Sequence, residues 1–472
     1  MEVDPPLVYR RKSFEFQDFG KFKIVSRDFK TQYCNTYIAR LAALRKHLIQ
    51  KAKLKWGEFT EITVVYKFQV IFLTYVISAQ HEIITLVELS ERNESKNCIL
   101  IGTLYKHQEL KPSILRELSE ELQLVTQPAR TNYASSKDIL YLEDEVLRIK
   151  LVGNHVNVKD VVTGVICAVL GRELENGAFS VIDWCLPGCC PKPSTCNQLP
   201  SRKGKILIMS GLDLVNNTES LSLSLLSEWI TGMIGCKGNQ EEVASIVCII
   251  IAGNIIRGSV ETHNHKGYFE NKTYEESVFK KTAMATHKLD NFLCPIVQNC
   301  PVILMPGEFD PTCHTIPQQP LHPCILPQCA RFKSFYGATN PWIGSINSCI
   351  VAGSSGQPIT DIMKVADIAN VSPLTWLERT LDWQHYAPTG PDTIPTYPCD
   401  EVDPFIMTEC PDVYFAGNMD KYDTKLFTEH ISTAEEGQMV RLICVPKFSK
   451  TQTVVLVDLE NLKSWPVSFA ID

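Results

Sequence analysis

Ile206-Leu207-Ile208-Met209-Ser210-Gly211-Leu212-Asp213 is an apolar run that stops at a glycine turn. Ile249-Ile250-Ile251-Ala252-Gly253-Asn254-Ile255-Ile256-Arg257 repeats the construction. A third apolar run ends in Met305-Pro306-Gly307-Glu308-Phe309-Asp310-Pro311, and a fourth reads Val413-Tyr414-Phe415-Ala416-Gly417-Asn418-Met419-Asp420. Between these runs, Leu221–Met233 and Tyr274–Leu289 read as helices, so apolar strands alternate with helical stretches from Lys205 onward. That alternation predicts a layered α/β domain. In such folds the loops after strand ends carry the site, and the four glycine turns fall there.

This skeleton resembles that of the dinuclear metallophosphoesterases, a family that places Asp-x-His, Gly-Asp-x-x-Asp, Gly-Asn-His followed by Asp or Glu, and Gly-His-x-His at these turns. Two metal ions roughly 3.5–4 Å apart must share a bridging carboxylate, flanked by imidazoles and further carboxylates. Here Ser210 and Leu212 stand where Asp and His are required. Asn254 stands at the bridging Asp, and Arg257 takes the place of the second carboxylate of that turn. A guanidinium is permanently charged and cannot ligate a cation. The third turn lacks its Asn-His pair, and Asn418 and Asp420 replace both His of the last motif. Glu308, Asp310 and Asp420 retain oxygens able to hold one hard cation; capping of turns and local pairing is the preferred reading. The expectation is a retained fold without its chemistry, with no catalytic residue, metal or cofactor.

Around this core the 472 residues leave room for two to three domains. Apolar content of 44% and charged content of 21% are those of a globular protein. The net charge of −7 excludes a dedicated duplex binder, which carries a basic excess to neutralise phosphates. Work on nucleic acid is therefore indirect or confined to a local patch. The 18 Cys do not read as a disulfide framework, because no apolar signal core follows Met1-Glu2-Val3-Asp4 and Cys167, Cys248 and Cys444 sit inside apolar runs. Reduced thiols in a cytosolic or nuclear compartment are expected.

Residues 1–28 read as an extended segment. Asp28–Trp56 reads as one helix, with Tyr37, Leu41, Leu44 and Leu48 at spacings of three and four among Arg and Lys. Its basic face is a DNA patch or, preferred, a solvated face. His81 to Asp183 is β-rich, with strands near His81–Val87, Cys98–Tyr105, Val146–Val152, Val161–Leu170 and Ala178–Cys185, suggesting a small Greek-key barrel. Leu110–Leu122 interrupts it with a helical signal that opens on Pro112. Residues 186–204 form a linker before the domain at 205–472. Cys185, Cys189, Cys190 and Cys196 lack a clean C-x-x-C pair, so a zinc knot is not expected. Residues 258–272, with His263 and His265, read as a mobile polar loop.

Residues 64–80 are apolar and β-branched, without period or turn signals. The run is slightly short for a membrane span and carries Lys67 and Gln69. It reads like translated intron, with a Val-Tyr-Lys start and an Ala-Gln end, so deleting Val65–Gln80 is expected to leave folding intact.

Pro306-Gly307-Glu308-Phe309-Asp310-Pro311 is followed by Pro317-Gln318-Gln319-Pro320-Leu321-His322-Pro323-Cys324. With Pro112-Ser113-Ile114-Leu115-Arg116-Glu117, Leu142-Glu143-Asp144-Glu145, Arg148-Ile149-Lys150-Leu151, Thr339-Asn340-Pro341, Thr393, Asp403-Pro404-Phe405-Ile406 and Glu409-Cys410-Pro411, this text resembles the small (B) subunits of DNA polymerase delta. The resemblance runs from about residue 28 to the C-terminus, residues 64–80 excepted. It implies an oligonucleotide-binding (OB) type barrel, at 29–185, fused to an inactive calcineurin-like phosphodiesterase α/β sandwich. It also implies a nuclear scaffold that binds the cysteine-rich C-terminal module of a catalytic polymerase subunit and a third, elongated subunit. Through these it reaches the sliding clamp and DNA, without a membrane, and the polymerase zeta catalytic subunit is a further implied partner. The iron–sulfur cluster of such assemblies belongs to the catalytic subunit. By the same resemblance His322 and Cys324 are packing residues, which removes Cys313, His322, Cys324 and Cys329 as a zinc set. An active phosphodiesterase or 3′-exonuclease, or a B subunit of polymerase alpha or epsilon, is the alternative. A barrel binding single strands is disfavoured because its segment lacks a row of exposed aromatics on basic strands.

Overall fold

The computed structural model describes residues 9–24, 30–57, 60–61, 82–91, 96–111, 131–192, 202–217, 221–259, 271–366, 371–399, 401–429 and 438–470. Residues 64–80, most of Leu110–Leu122, Cys196, His263 and His265 lie outside them. The chain divides into two compact units. One is Asp28–Cys190 with Pro358–Thr408, and the other is Met1–Arg27 with Pro191–Gln357 and Glu409–Asp472.

In the second of these units, the first strand is β1 (Phe16–Asp18). The barrel unit opens with α1 (Tyr33–Trp56), whose Leu41, Leu44, Leu48 and Ala52 recur at helical spacing and are buried. Gly57 ends the helix at a positive φ of 85° that glycine adopts freely, its N–H donating to Lys53 O. Then come β2 (Thr60–Glu61), β3 (Glu82–Ile84), α2 (Leu86–Glu91), β4 (Cys98–His107), β5 (Ile139–Glu143), β6 (Arg148–Val152), β7 (Ile166–Glu173) and β8 (Ala178–Cys185). The sequence strand at His81–Val87 is cut short by a capping box. Thr85 Oγ1 accepts from Glu88 N while Glu88 Oε2 accepts from Thr85 N, which starts α2. Likewise β6 begins after Val146 and Leu147, because Asp144 Oδ1 accepts from both of their N–H groups and turns the chain.

Strands β4-β5-β6-β8-β7 pair in that order and β7 closes back on β4, so this sheet has no free edge along the barrel. Within this five-strand ring every pairing is antiparallel except β6–β8, and β2 and β3 add to it in parallel through β4. Five strands closed in this order form the OB barrel expected from the sequence. Helix α1 lies against it, with Leu41, Leu44, Leu48 and Ala52 packed on Ile99, Ile101, Ile166, Ala168 and Leu170. The flanks of the 64–80 run, β2 and β3, pair in parallel. A parallel pair needs a connection of about a dozen residues or more, so joining Thr63 directly to His81 would remove this short pairing.

The other unit holds two six-stranded sheets. One has the order β12-β11-β10-β9-β18-β19, from β9 (Lys205–Met209), β10 (Ile246–Ala252), β11 (Val302–Met305), β12 (Phe335–Gly337), β18 (Thr453–Asp458) and β19 (Ser464–Ser468). The other has the order β1-β13-β14-β15-β17-β16, from β13 (Trp342–Ile346), β14 (Cys349–Ser354), β15 (Val413–Met419), β16 (Asp423–Glu429) and β17 (Gln438–Pro446). Strands β9 to β12 are parallel and read as unbroken apolar runs because both faces are covered. Ile206, Ile208, Ile250 and Ile303 meet Val351, Phe415 and Ile443 of the other sheet. Leu207, Ile249, Ile251 and Leu304 meet α3 (Leu221–Thr231), α4 (Lys237–Ala244) and α5 (Asn271–Asn299). Helix α5 outruns the expected Tyr274–Leu289 because Leu293, Ile296 and Val297 continue its buried stripe.

Two sequence boundaries are corrected. The N-terminal segment is a built part of the sandwich unit: β1 pairs with β13, Phe14 and Phe16 pack on Tyr336, and Arg11 Nη1 donates to Val243 O and Ile246 O. Residues 358–408, with the end of α6 (Gln357–Val365) and α7 (Pro373–Asp382), belong with the barrel. The physical reason is Arg40. Its Nε donates to Asp403 Oδ2 at 2.7 Å, its Nη1 to Gly164 O and Pro388 O, and its Nη2 to Gly390 O. His385 Nε2 stands 2.9 Å from the same Asp403 oxygen. The first part of the predicted linker is packed as well, with Cys189 and Cys190 buried. Lys192 and Arg202 both pair with Asp412, at 2.7 and 3.1 Å. The last helix, α8 (Phe448–Thr451), follows β17.

Candidate functional site

The four glycine turns converge at the ends of β9, β10, β11 and β15. Gly253 (φ 73°) and Asn254 (φ 53°) occupy the left-handed region that glycine and asparagine tolerate. Gly307 is required by close approach, since a Cβ there would stand 2.1 Å from Asn254 N. Asn418 is also left-handed, at φ 58°.

The side chains brought together are Ser210, Asn254, Asp310 and Asn418; each hydrogen-bonds within the fold, while Asn418 Oδ1 is buried without a partner. Ser210 Oγ accepts from Asn418 N at 2.8 Å and donates to Pro446 O at 3.1 Å. Asn418 Nδ2 donates to Ala252 O at 3.0 Å and Ser355 O at 2.8 Å. Asn254 Oδ1 accepts from Phe309 N at 3.3 Å. The buried Asp310 carboxylate accepts from Ile255 N, Ile256 N and Gly307 N, each at 2.9 Å. Burial pushes this carboxyl up to about 6, against the pull of those backbone N–H groups.

The remaining positions do not join this cluster. Leu212 is fully buried in the helix-side core. Arg257 turns onto α5, its Nε donating to Thr282 Oγ1 at 2.9 Å and its Nη2 to Val278 O at 3.3 Å. Asp420 is 85% exposed and stands 3.5 Å from Lys447 Nζ. Glu308 is half-buried in the third turn.

Behind the turns lies a ring of neutral amides to which the sequence alone assigns no role. Asn340 Nδ2 donates to Gln318 Oε1 and Ser355 Oγ, both at 2.8 Å, and also to Gln357 Oε1. Asn340 Oδ1 accepts from Ser355 N at 2.9 Å. Gln318 Nε2 reaches back to Gly307 O at 3.0 Å. The next residue, Gln319, donates to Phe22 O and accepts from Ile24 N, clamping the N-terminal segment. A run of polar residues between prolines was the available signal; the partners come from turns distant in sequence.

Two metal ions do not fit here. The one carboxylate in the cluster already accepts from backbone N–H groups, and its neighbours are amides and a hydroxyl. Among the described residues no group of three or more His, Cys, Asp or Glu is placed to hold a metal ion. His322 and Cys324 are exposed, which corrects their reading as packing residues; His322 Nδ1 caps the turn by accepting from Cys324 N at 3.2 Å. Cys329 is buried instead against Asp290, which accepts from its N–H at 3.0 Å.

Two family models match the chain, one on the barrel and one that runs from the sandwich through residues 358–408. Residues 32–184 match the family model of the DNA polymerase delta subunit OB-fold domain. Residues 206–424 match that of the DNA polymerase alpha/epsilon B subunit. The chain is similar to DNA polymerase delta subunit 2 of Drosophila melanogaster, 36% identical over 453 residues and 96% of each chain. It is 33% identical to the DNA polymerase delta small subunit of Arabidopsis thaliana, across 100% of this chain and 99% of the relative. The Saccharomyces cerevisiae small subunit is 27% identical across 94% of this chain and 91% of its own. The fold and the occupied turns define a B-subunit-type protein, and the chain belongs to the DNA polymerase delta small-subunit family.

Proposed function

We propose that this chain is a non-catalytic accessory subunit of the replicative DNA polymerase delta, acting as a scaffold in DNA replication and repair. The sandwich unit is a calcineurin-like phosphodiesterase fold whose metal centre has given way to a neutral hydrogen-bonded network. The observation that carries this reading is the state of the four turns: Ser210, Asn254, Asp310 and Asn418 each bond to other turns or to backbone. Apart from Asn418 Oδ1, which is buried without a hydrogen-bond partner, these side chains are engaged with one another or with backbone, which leaves too few ligands for a dinuclear centre.

The partners follow from the family. The scaffold bridges the cysteine-rich C-terminal module of the catalytic subunit to a third subunit, works in the nucleus and reaches the clamp through them; the polymerase zeta catalytic subunit is a further partner. Any iron–sulfur cluster resides in the catalytic subunit.

Two measurements test this. Purified full chain with manganese is expected to leave a generic phosphodiester and single-stranded DNA intact; metal-dependent turnover lost on Asp310→Ala would overturn the inactive reading. Co-expression with the catalytic subunit's C-terminal module is expected to give a co-purifying complex and more soluble chain. A stable monomer that ignores that module refutes the scaffold.

A further inference from the structure

Tyr9-Arg10-Arg11-Lys12-Ser13-Phe14 precedes β1 in the sandwich unit. It sets two arginines three and two residues before a serine, a lysine directly before it and a phenylalanine directly after it. Kinases select substrates by such charge patterns. Carboxylates in a kinase cleft take guanidiniums bidentately, and an apolar pocket takes the ring that follows the serine. In a chain of net charge −7, three successive cations are a local departure.

The structure adds what a phosphoacceptor needs. Ser13, Glu15 and Gln17 are exposed while Phe14 and Phe16 are half-buried, an alternation that runs the backbone extended and turns Ser13 to solvent. Among the described residues its hydroxyl makes no hydrogen bond. Arg10 and Lys12 are exposed as well. Ser334 is the contrast. Arg331 stands three residues before it and Lys333 directly before it, yet Ser334 is half-buried and its Oγ donates to Val297 O at 2.6 Å.

The same segment is a strap on the sandwich. Arg11 Nη1 donates to Val243 O at 2.8 Å and to Ile246 O at 3.0 Å, and its Nη2 donates to Ile230 O. Asn347 Nδ2 donates to Ser13 O at 3.1 Å, and Asn347 Oδ1 accepts from Glu15 N at 2.9 Å. The Phe14 ring stacks on Phe16 at 5.7 Å. Arg11 and Phe14 are therefore held by the fold, whereas Arg10, Lys12 and Ser13 face outward.

We propose that Ser13 is a phosphorylation site for a kinase that reads basic residues upstream of serine, and that the strap holds its modification back. The γ-phosphoryl group of a nucleoside triphosphate passes to Ser13 Oγ. The bond to the β-phosphate oxygen breaks, the Oγ–P bond forms, the hydroxyl proton goes to the kinase's catalytic carboxylate, and the diphosphate leaves. Full recognition needs Arg11 and Phe14 to leave the sandwich, so the strapped chain is modified slowly and a loosened one faster. The inference uses the sandwich unit alone and does not rest on the polymerase reading.

The test is phosphorylation of the purified full chain by the cyclic-AMP-dependent protein kinase, which reads paired arginines, with a proline-directed kinase in parallel and sites mapped by mass spectrometry. Phosphate at Ser13 is expected with the first kinase alone, is lost in Ser13→Ala, and does not form at Ser334. Arg10→Ala should lower the initial rate at least about ten-fold, the worth of one charge-assisted contact. Asn347→Gly keeps the left-handed backbone (φ 47°) and strips both bonds to the strap. It should raise the rate about five-fold, the worth of one hydrogen bond. Gel filtration of the variants should match that of the native chain. Absence of phosphate at Ser13 in both the native chain and Asn347→Gly overturns the proposal. So does a rate indifferent to Arg10→Ala, or Ser334 as the main site. A rate unchanged in Asn347→Gly overturns the strap's part in it.

Discussion

Two interior locks, one in each unit, work by opposite means. The barrel unit is locked by buried charge: Arg40, 1% exposed, is held by Asp403 and by three carbonyls. Behind its turns the sandwich unit is locked by buried amides, with Asn340, Gln318, Ser355 and Gln357 bonded to one another. A charged lock is expensive to desolvate and fails abruptly when one partner goes. A neutral network is cheaper to bury and fails by single bonds. The difference teaches where each unit tolerates change, and it fits a sandwich in which ligands to charge have been exchanged for groups that need no ion.

The comparison is broken most directly at Arg40. Arg40→Met leaves Asp403 buried beside His385 without its guanidinium, and releases the carbonyls of Gly164, Pro388 and Gly390. The expected loss is about 3–5 kcal/mol. Chemical denaturation of the full chain should show it, with proteolysis beginning within residues 358–408. A loss under about 1 kcal/mol would mean that the lock is incidental.

The amide network should yield less. Asn418→Gly keeps the left-handed backbone and removes only the amide that bonds Ala252 O and Ser355 O. Asn340→Leu strips Gln318, Ser355 and Gln357 of a common partner. Each is expected to cost about 1–3 kcal/mol by the same denaturation. If either matched Arg40→Met, the contrast between the units would collapse.

How much of this was legible in the sequence follows from the range of the interactions. Apolar runs ending at Gly211, Gly253 and Gly307 announce strands and tight turns, because a turn is local in sequence. The barrel was legible for the same reason. Arg40 was not, since its partners lie 124 to 363 residues away and no periodic pattern marks a buried Arg inside a basic helix. The loss of metal ligands could be read residue by residue, whereas the replacement network could not. Gln318 and Asn340 touch only because β11 and β13 bring their loops together. The Thr85–Glu88 capping box is legible in the sequence, and in the structure it cuts short the β-branched run before it.

A pH titration separates the two carboxylates by sign. Burial would raise Asp403, but Arg40 and His385 hold it well below the usual carboxylate range. Its contribution is therefore full above about pH 3.9 and is lost only in stronger acid. Asp310 sits above its ordinary value, at about 6. The folded chain keeps that proton over a window in which the unfolded chain has released it. Its contribution is full below about pH 4 and is lost as pH rises through 6, a swing of about 3 kcal/mol. Unfolding free energy measured between pH 4 and 7 should lose this slope in Asp310→Asn, and an unchanged slope would assign it to other groups.

The smallest effect is expected at the acids left outside the cluster. Asp420 is 85% exposed and meets Lys447 only at 3.5 Å. Such a surface pair contributes about 0–1 kcal/mol. Glu308→Ala and Asp420→Ala should each change stability by no more than about 0.5 kcal/mol. Together they also decide whether the sandwich keeps any part of a metal site. If Glu308, Asp310 and Asp420 jointly held one hard cation, millimolar magnesium or manganese would stabilise the folded chain by mass action. Asp420→Ala would then remove that gain while leaving the metal-free melting temperature unchanged. The occupied state of Asp310 argues for the other result, because a cation there would have to displace backbone N–H groups of Ile255, Ile256 and Gly307. The expected melting curves of native chain and both variants superimpose with and without metal, leaving the neutral network as the lock of this unit.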